Sequence, residues 1–248
     1  MPSYKPLPCT LTVGDFTLSY TWARKAVKNY NMRVRADGTV YVSTPPHTTP
    51  QQVERFITER IVFVRRALQR TAARRGVAPL SLSEGEQLPI FGVSHTVFHL
   101  KSGRMRAFCE DGGLYLALPD PSDAAARQRL FWRFAAKEAG RVLTDLTAAY
   151  APQLLPAGEQ LPQISLRRMK GRWGSCFYTE GRIQYNTKLI FAPLACLEYV
   201  VCHELAHFKH HDHSADFYAW LARVLPDHKE RRRILHSLPI PDFVSEET

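Results

Sequence analysis

The sequence predicts an α+β protein: a β-hairpin-rich N-terminal half with one long helix, then a half in which a small sheet packs on a histidine-bearing helix. Three observations predict it. Much of residues 1–120 alternates apolar and polar side chains around Gly-containing turns, the mark of β-hairpins. One stretch in that half, beginning near Pro50, carries apolar residues at helical spacing. Around 120–125 the composition shifts to long helical patterns interrupted by two strand-like runs. The expected organisation is therefore a β-rich region with a long basic helix over 1–120 and a second domain over 121–248. A chain of 248 residues is long enough to give each a core.

Residues 9–21, CTLTVGDFTLSYT, read as a strand pair about Gly14-Asp15. NMRVRADGTVYVSTP, 31–45, is a clearer hairpin, with Asp37-Gly38 as the turn and Met32, Val34, Val40 and Val42 as its apolar beats. Pro45-Pro46 stop it. Thr49 or Thr48 can cap a helix that runs from Pro50 to about Arg75, with Val53, Phe56, Ile57, Ile61 and Val64 on one side and Gly76 at its end. QLPIFGVSHTVFHL, RMRAFCE and GLYLALP give three or four strands with turns at Gly92 and Gly112-Gly113. A helix capped by Ser122 then runs to about Tyr150, where APQLLPAGEQLP breaks it. Strands at 163–169 and 182–187 flank KGRWGSCFYTEG, and helices near 193–210, 214–225 and 227–236 finish the chain. No internal repeat is visible.

Bulk properties exclude several classes. Hydrophobic content of 45% and charged content of 23% are ordinary for a soluble globular protein. No apolar run approaches the ~20 residues that span a bilayer, so no membrane partner is expected. The N-terminus lacks a basic segment followed by an apolar one, so it does not read as a signal peptide. The five cysteines form no C-x-x-C pair, which argues against a disulfide framework or a cysteine zinc ribbon and for a reducing cytoplasm. A net charge of +10 admits a nucleic-acid partner through a basic surface. The arginine-rich 65–76, RRALQRTAARRG, is read first as a solvated face that suits a helix C-terminus. No aromatic or base-reading residues interleave there.

Five of the ten histidines fall within 203–213. His203-Glu204-Leu205-Ala206-His207 is an H-E-x-x-H motif. Histidines four apart lie one above the other on a helix face, so both imidazoles reach one ion. Glu204 is rotated about 100° from His203 and can stand beside that ion without ligating it, as the base for an activated water. A catalytic zinc site needs a third protein ligand. His211 continues the line, but eight residues of helix rise about 12 Å, too far to share an ion with His203. His213 becomes suitable if the chain turns after about residue 209. HHDHS is a poor helix interior, Asp212 and Ser214 are natural caps, and SADFYAWLARVL restarts an amphipathic helix. The expected ligands are His203, His207 and His213, with His210 and His211 exposed or outside the ligand set.

These motifs carry a family resemblance. Arg172-Trp173-Gly174-Ser175-Cys176, Asn186, Ala192-Pro193, the 203–207 motif, and His213-Ser214 with Phe217-Tyr218 follow a pattern that resembles the YgjP-like metallopeptidases. Asp212 stands where that family usually has Asn or a similar residue, and Tyr218 where Trp is commoner. The first half is also similar, through ARKAVKNYNMRVRADGTVYVSTP and LPIFGVSHTVFHL. The resemblance is specific from about 167 to 235. It implies a zincin-like C-terminal half, a Zn²⁺ cofactor, a peptide or protein substrate, and kinship to SprT-like and WLM proteases, which act on DNA-bound proteins.

The expected mechanism is peptide hydrolysis by an activated water, with Glu204 as general base and proton donor to the leaving amine. RWGSC admits two readings. In one it is a strand edge beside the helix that pairs with an extended peptide, and Arg172 or Tyr185 steadies the oxyanion. In the other Trp173 and Cys176 are core residues and Gly174 allows a tight turn. Tyr199, one turn before His203, is a further candidate for lining the cleft. Asn186 reads as a hydrogen-bonding residue at a strand end. Two rival functions share these residues: a nucleic-acid-associated binding protein with a structural metal, and a zinc hydrolase of a non-peptide amide.

Overall fold

A computed structural model describes residues 5–35, 37–75 and 80–241. The chain forms two compact units, Met1–Ala78 and Pro79–Thr248. Residues 1–78 hold 13 of the 33 Lys and Arg but 4 of the 23 Asp and Glu, a net +9 of the chain's +10. The basic character therefore belongs to the first unit, and the histidine-bearing unit is almost neutral.

In the first unit, β1 (Leu7–Val13) and β2 (Phe16–Arg24) form one antiparallel hairpin, and β3 (Asn31–Val34) and β4 (Val40–Thr44) form another. The hairpins join through parallel pairing of β2 with β4, giving the order β1-β2-β4-β3. Leu18, Tyr20, Trp22, Val40 and Val42 on one face pack with Val53, Ile57 and Val64. The helical stretch is two helices rather than one, α1 (Pro50–Thr58) and α2 (Ile61–Arg75). Thr49 caps α1 in a capping box with Gln52. The interruption has a local cause. Thr58 Oγ1 donates to the Glu54 carbonyl and Arg60 Nη1 to the Phe56 carbonyl, while the Arg60 N–H tightens onto Ile57. Side chains competing for helix carbonyls bend a helix. Arg65, first of the arginine run, pairs with Asp15 and lies over the Phe16 ring. Gly76, expected to end the helix, lies outside the described residues.

The second unit begins with a sheet of the same topology as the first. The antiparallel pairs β5 (Gln87–Ile90) with β6 (Val93–Lys101) and β7 (Arg106–Glu110) with β8 (Gly113–Leu118) join through parallel β6 and β8, in the order β5-β6-β8-β7. Leu88, Ile90, Val97, Leu114, Leu116 and Leu118 share one core with Leu130, Phe131, Phe134, Ala135, Ala139 and Leu143 of α3 (Ala124–Leu154). A division at 120 would split that core. The compositional shift there marks the start of α3, and the units divide instead at 78/79. Asp123, not Ser122, caps α3: its Oδ1 accepts from Ala126 N at 2.9 Å, while Ser122 Oγ donates to Asp120. The helix continues past Tyr150 to Leu154.

The remaining elements build the site. β9 (Gln163–Arg167), β10 (Gly174–Phe177) and β11 (Arg182–Asn186) form a sheet ordered β10-β11-β9, with β10 at an edge. A 3-10 turn over Thr187–Phe191 leads to α4 (Leu194–Ala206), followed by α5 (Ala215–Val224) and α6 (His228–Ser237). The β5–β6 turn sets where α4 starts. Phe91 N–H donates to the Ile190 carbonyl, and Gly92, at φ +81°, lies against Pro193. Trp220 Nε1 on α5 donates to the Leu154 carbonyl at the end of α3. Arg231 on α6 pairs with Glu198 on α4 and donates to the Ala195 carbonyl. No described helix is long and apolar enough to cross a membrane.

Candidate metal centre

α4 buries Leu197, Val200, Val201 and Leu205 and turns His203 and His207 to its half-buried side, their ring centroids 4.9 Å apart. The helix stops at Ala206, and Ser214 restarts the chain as the cap of α5 by accepting from Phe217 N. The reversal swings His213 back. Its Nε2 lies 3.0 Å from His203 Nε2, and its ring is 4.9 Å from that of His203 and 4.8 Å from that of His207. Potential ligand atoms of the three fall within 4.8 Å of one another. Ligands at 2.0–2.1 Å around a tetrahedral ion stand roughly 3.3 Å apart, so the spacing fits one ion.

Packing holds the rings in this arrangement. Phe217, fully buried on α5, lies beneath all three, with ring centroids 5.0 Å from His203, 4.7 Å from His207 and 5.0 Å from His213. The His210 carbonyl is 3.1 Å from His207 Nδ1. A donated Nδ1–H there leaves the Nε2 lone pair free for an ion. His211 Nδ1 meets the His207 carbonyl at 3.0 Å, and its ring stacks 3.8 Å from that of Tyr178. His210 and His211 thus fix the turn rather than join the cluster.

The electrostatics suit a cation. Burial, then the neighbouring His207, His213 and Arg232, drive His203 down to about 3. Burial likewise lowers His207. Neutral imidazoles offer lone pairs, and a metal needs them deprotonated. Three imidazoles converging on a point are a donor set that zinc accepts.

Glu204 is buried beside His203, 6% exposed, and burial pushes its carboxyl up to about 8. The Cys176 backbone N–H and the Arg172 charge oppose that rise. The carboxylate lies against Gly174 of β10, where a side chain would collide with it. Gly174 has no left-handed backbone. The sequence reading of a tight-turn glycine is therefore corrected: the position requires empty space, not an unusual φ. Asn186 Oδ1 accepts from Met169 N and Lys188 N, and its Nδ2 donates to the carbonyls of Met169 and Arg172. It is buried and ties the 169–172 loop to the end of β11.

The other expected residues divide. Arg172 is exposed, donates to Ser175 Oγ at 3.2 Å and acts electrostatically on Glu204. Tyr199 is buried against His203, ring centroids 5.7 Å apart, and burial raises its phenol to about 12. Tyr185 requires correction as an oxyanion candidate. It is 0% exposed, burial raises its phenol well above the ordinary range, and its hydroxyl lies 3.1 Å from Thr147 Oγ1 within the core. Trp173 and Cys176 pack against the core. Sequence reasoning missed the roles of Phe217 and Gly174. Phe217 had a signal, four residues after His213 on an amphipathic helix; Gly174 had none, because its constraint comes from another element.

An α+β unit with paired histidines on one helix, a third across a turn and a buried carboxylate between helix and edge strand defines a metal-dependent peptidase. The chain matches the model of the YgjP-like metallopeptidase domain over residues 28–238, and it belongs to that family. Among solved structures it is similar to the metallopeptidase zymogen abylysin of Pyrococcus abyssi, at 23% identity and a TM-score of 0.35, over 41% of this chain and 99% of that one. No curated protein matches it.

Proposed function

We propose that this chain is a zinc metallopeptidase in which His203, His207 and His213 hold the ion and Glu204 is the general base. The observation that carries the reading is the convergence of three imidazoles beside a buried glutamate. Zinc bound there would supply Lewis acidity, bringing the pKa of a water toward about 7 and polarising a carbonyl. The chain's own residues do the rest. Glu204 accepts the water's proton and passes it to the leaving amine. A cation nearby favours its charged form, against the burial that raises it. The Asn186 N–H donates to the Trp173 carbonyl, so Trp173, Ser175 and Phe177 turn their backbone toward β11, and Gly174 and Cys176 turn theirs outward. The Gly174 N–H and Cys176 C=O then offer an extended substrate a strand to pair with. Arg172 is the candidate for steadying the oxyanion, and Tyr199 walls the histidine side.

A peptide substrate follows from the family, which gives nucleic-acid binding no support. A metal assay combined with peptide hydrolysis tests the proposal. Stoichiometric zinc is expected in the purified protein and in Glu204→Gln, with hydrolysis lost in Glu204→Gln and both zinc and hydrolysis lost in His203→Ala. Full activity in either variant overturns it.

A further inference from the structure

α6 carries three consecutive arginines, and they are not used alike. Arg231 pairs with Glu198 and Asp227, and Arg233 pairs with Glu230. Arg232 between them meets no carboxylate among the described residues. Its one hydrogen-bond contact among the described residues is a long 3.5 Å approach of Nη1 to the Tyr218 hydroxyl. Tyr218 stands over the histidine cluster, its ring 6.3 Å from that of His213. It is clamped rather than free. The buried His228 stacks on it at 5.9 Å, and Phe217 meets it edge-on at 5.2 Å. His228 is itself anchored, with Nδ1 3.1 Å from the Leu225 carbonyl. Arg232 is also close enough to His203 and Tyr199 to act on both electrostatically.

An exposed guanidinium that meets no carboxylate among the described residues, set beside a fixed phenol at the edge of the histidine cluster, is open to an anionic partner. A guanidinium offers a planar fork of N–H donors that matches a carboxylate, and Tyr218 adds an O–H. We propose that Arg232 and Tyr218 form a carboxylate-binding subsite, so that the preferred substrates are peptides with a carboxylate near the scissile bond. Two sources share that chemistry: an acidic side chain and a free C-terminus. The proposal rests on the peptidase reading above, and the test separates the two.

Three Ala-rich heptapeptides, N-acetylated and otherwise identical, serve as probes: a central Glu with an amidated C-terminus, a central Gln with an amidated C-terminus, and a central Gln with a free C-terminus. Cleavage by the zinc-loaded protein is measured, along with binding to Glu204→Gln by calorimetry. The wild type is expected to favour one or both carboxylate peptides over the neutral one, and the favoured peptide identifies the source. Arg232→Gln is expected to raise KM for that peptide about 10- to 100-fold, the worth of a hydrogen bond to a charged group, with kcat kept. Arg232→Lys falls between, and Tyr218→Phe shifts the same way by less. The neutral peptide loses far less than the carboxylate peptide, and the thermal midpoint of Arg232→Gln is unchanged, which a structural role would not allow. Equal loss on all three peptides, loss in kcat alone, or no effect overturns the subsite. If none is cleaved but Arg232 still governs binding of the carboxylate peptide to Glu204→Gln, the subsite stands and the peptidase reading falls. Absence of both cleavage and Arg232-dependent binding overturns the subsite as well.

Discussion

Gly174 lies directly against Glu204: a Cβ built on Gly174 would stand 2.7 Å from both Cγ and Cδ of the glutamate and closer still to Oε1. The strand edge is shaped around the carboxylate, so Gly174→Ala displaces Glu204 while leaving the three histidines untouched. Hydrolysis is expected to fall by at least two orders of magnitude, the scale of general base catalysis. Zinc content should stay stoichiometric. Metal analysis beside peptide turnover checks both, and an Ala variant of ordinary activity would show that the carboxylate position is not critical.

Phe217 touches all three imidazoles at 4.7 to 5.0 Å between ring centroids. It fixes their mutual angles through packing, as the apolar shell of a metal site does. Phe217→Leu keeps most of the buried volume but removes the flat platform. Zinc affinity is expected to drop about 10- to 100-fold, at a stability cost of about 1–2 kcal/mol. Competition titration with a chromogenic chelator measures the first and urea unfolding the second. Unchanged affinity would mean that the rings orient themselves.

The fold was legible in the sequence wherever a local rule acts alone. The Asp37-Gly38 hairpin, the Thr49 cap and the restart of the helix at Ser214 all follow from short-range chemistry, and the last of these turns His213 back toward His203. Where two elements compete, legibility failed. Nothing in the periodicity around 58–61 shows that Thr58 and Arg60 side chains will take helix carbonyls and split α1 from α2. The alternation of β5–β8 shows a buried face but not its partner, and alternation alone groups the sheet with the first hairpins, whereas it packs on α3. The same limit governs the site. The histidine spacing is local and readable, but the burial of Tyr185 is set by distant elements, with its hydroxyl against Thr147, 38 residues away.

Asn186 makes four hydrogen bonds to backbone groups of Met169, Arg172 and Lys188. Asn186→Ala leaves those part-buried groups without their partners, and a group left unpaired costs up to about 1–3 kcal/mol when water cannot reach it. A loss of roughly 3 kcal/mol or more is expected in urea unfolding, together with lower turnover, because the loop it ties carries Arg172 and leads into Gly174. Asn186→Asp keeps the acceptor but sets a carboxylate oxygen against the Met169 and Arg172 carbonyls, so it should destabilise as well. Equal stability of the Ala variant and the wild type would remove Asn186 from the support of the site.

The acidity of Glu204 and His203 sets how the EDTA-stripped protein responds to pH. Burial raises Glu204 from its ordinary 4.5 to about 8. Between those values the folded state holds a proton that the unfolded chain has released, so the contribution of Glu204 to stability shrinks as pH rises. The slope is at most about 1.4 kcal/mol per pH unit. His203 works in the opposite sense. Burial lowers it from 6.5 to about 3, so below 6.5 the unfolded chain takes a proton that the folded state refuses, and stability falls as pH falls. The two slopes oppose one another where the windows overlap. Above 6.5 Glu204 acts without His203, and below 4.5 His203 acts without Glu204. Glu204→Gln deletes the first slope only. In urea unfolding with EDTA, this variant should gain on the wild type steadily as pH rises through the Glu204 window and hold a constant margin above it. Parallel stability curves for the two proteins would mean that Glu204 does not carry a raised pKa in the folded state.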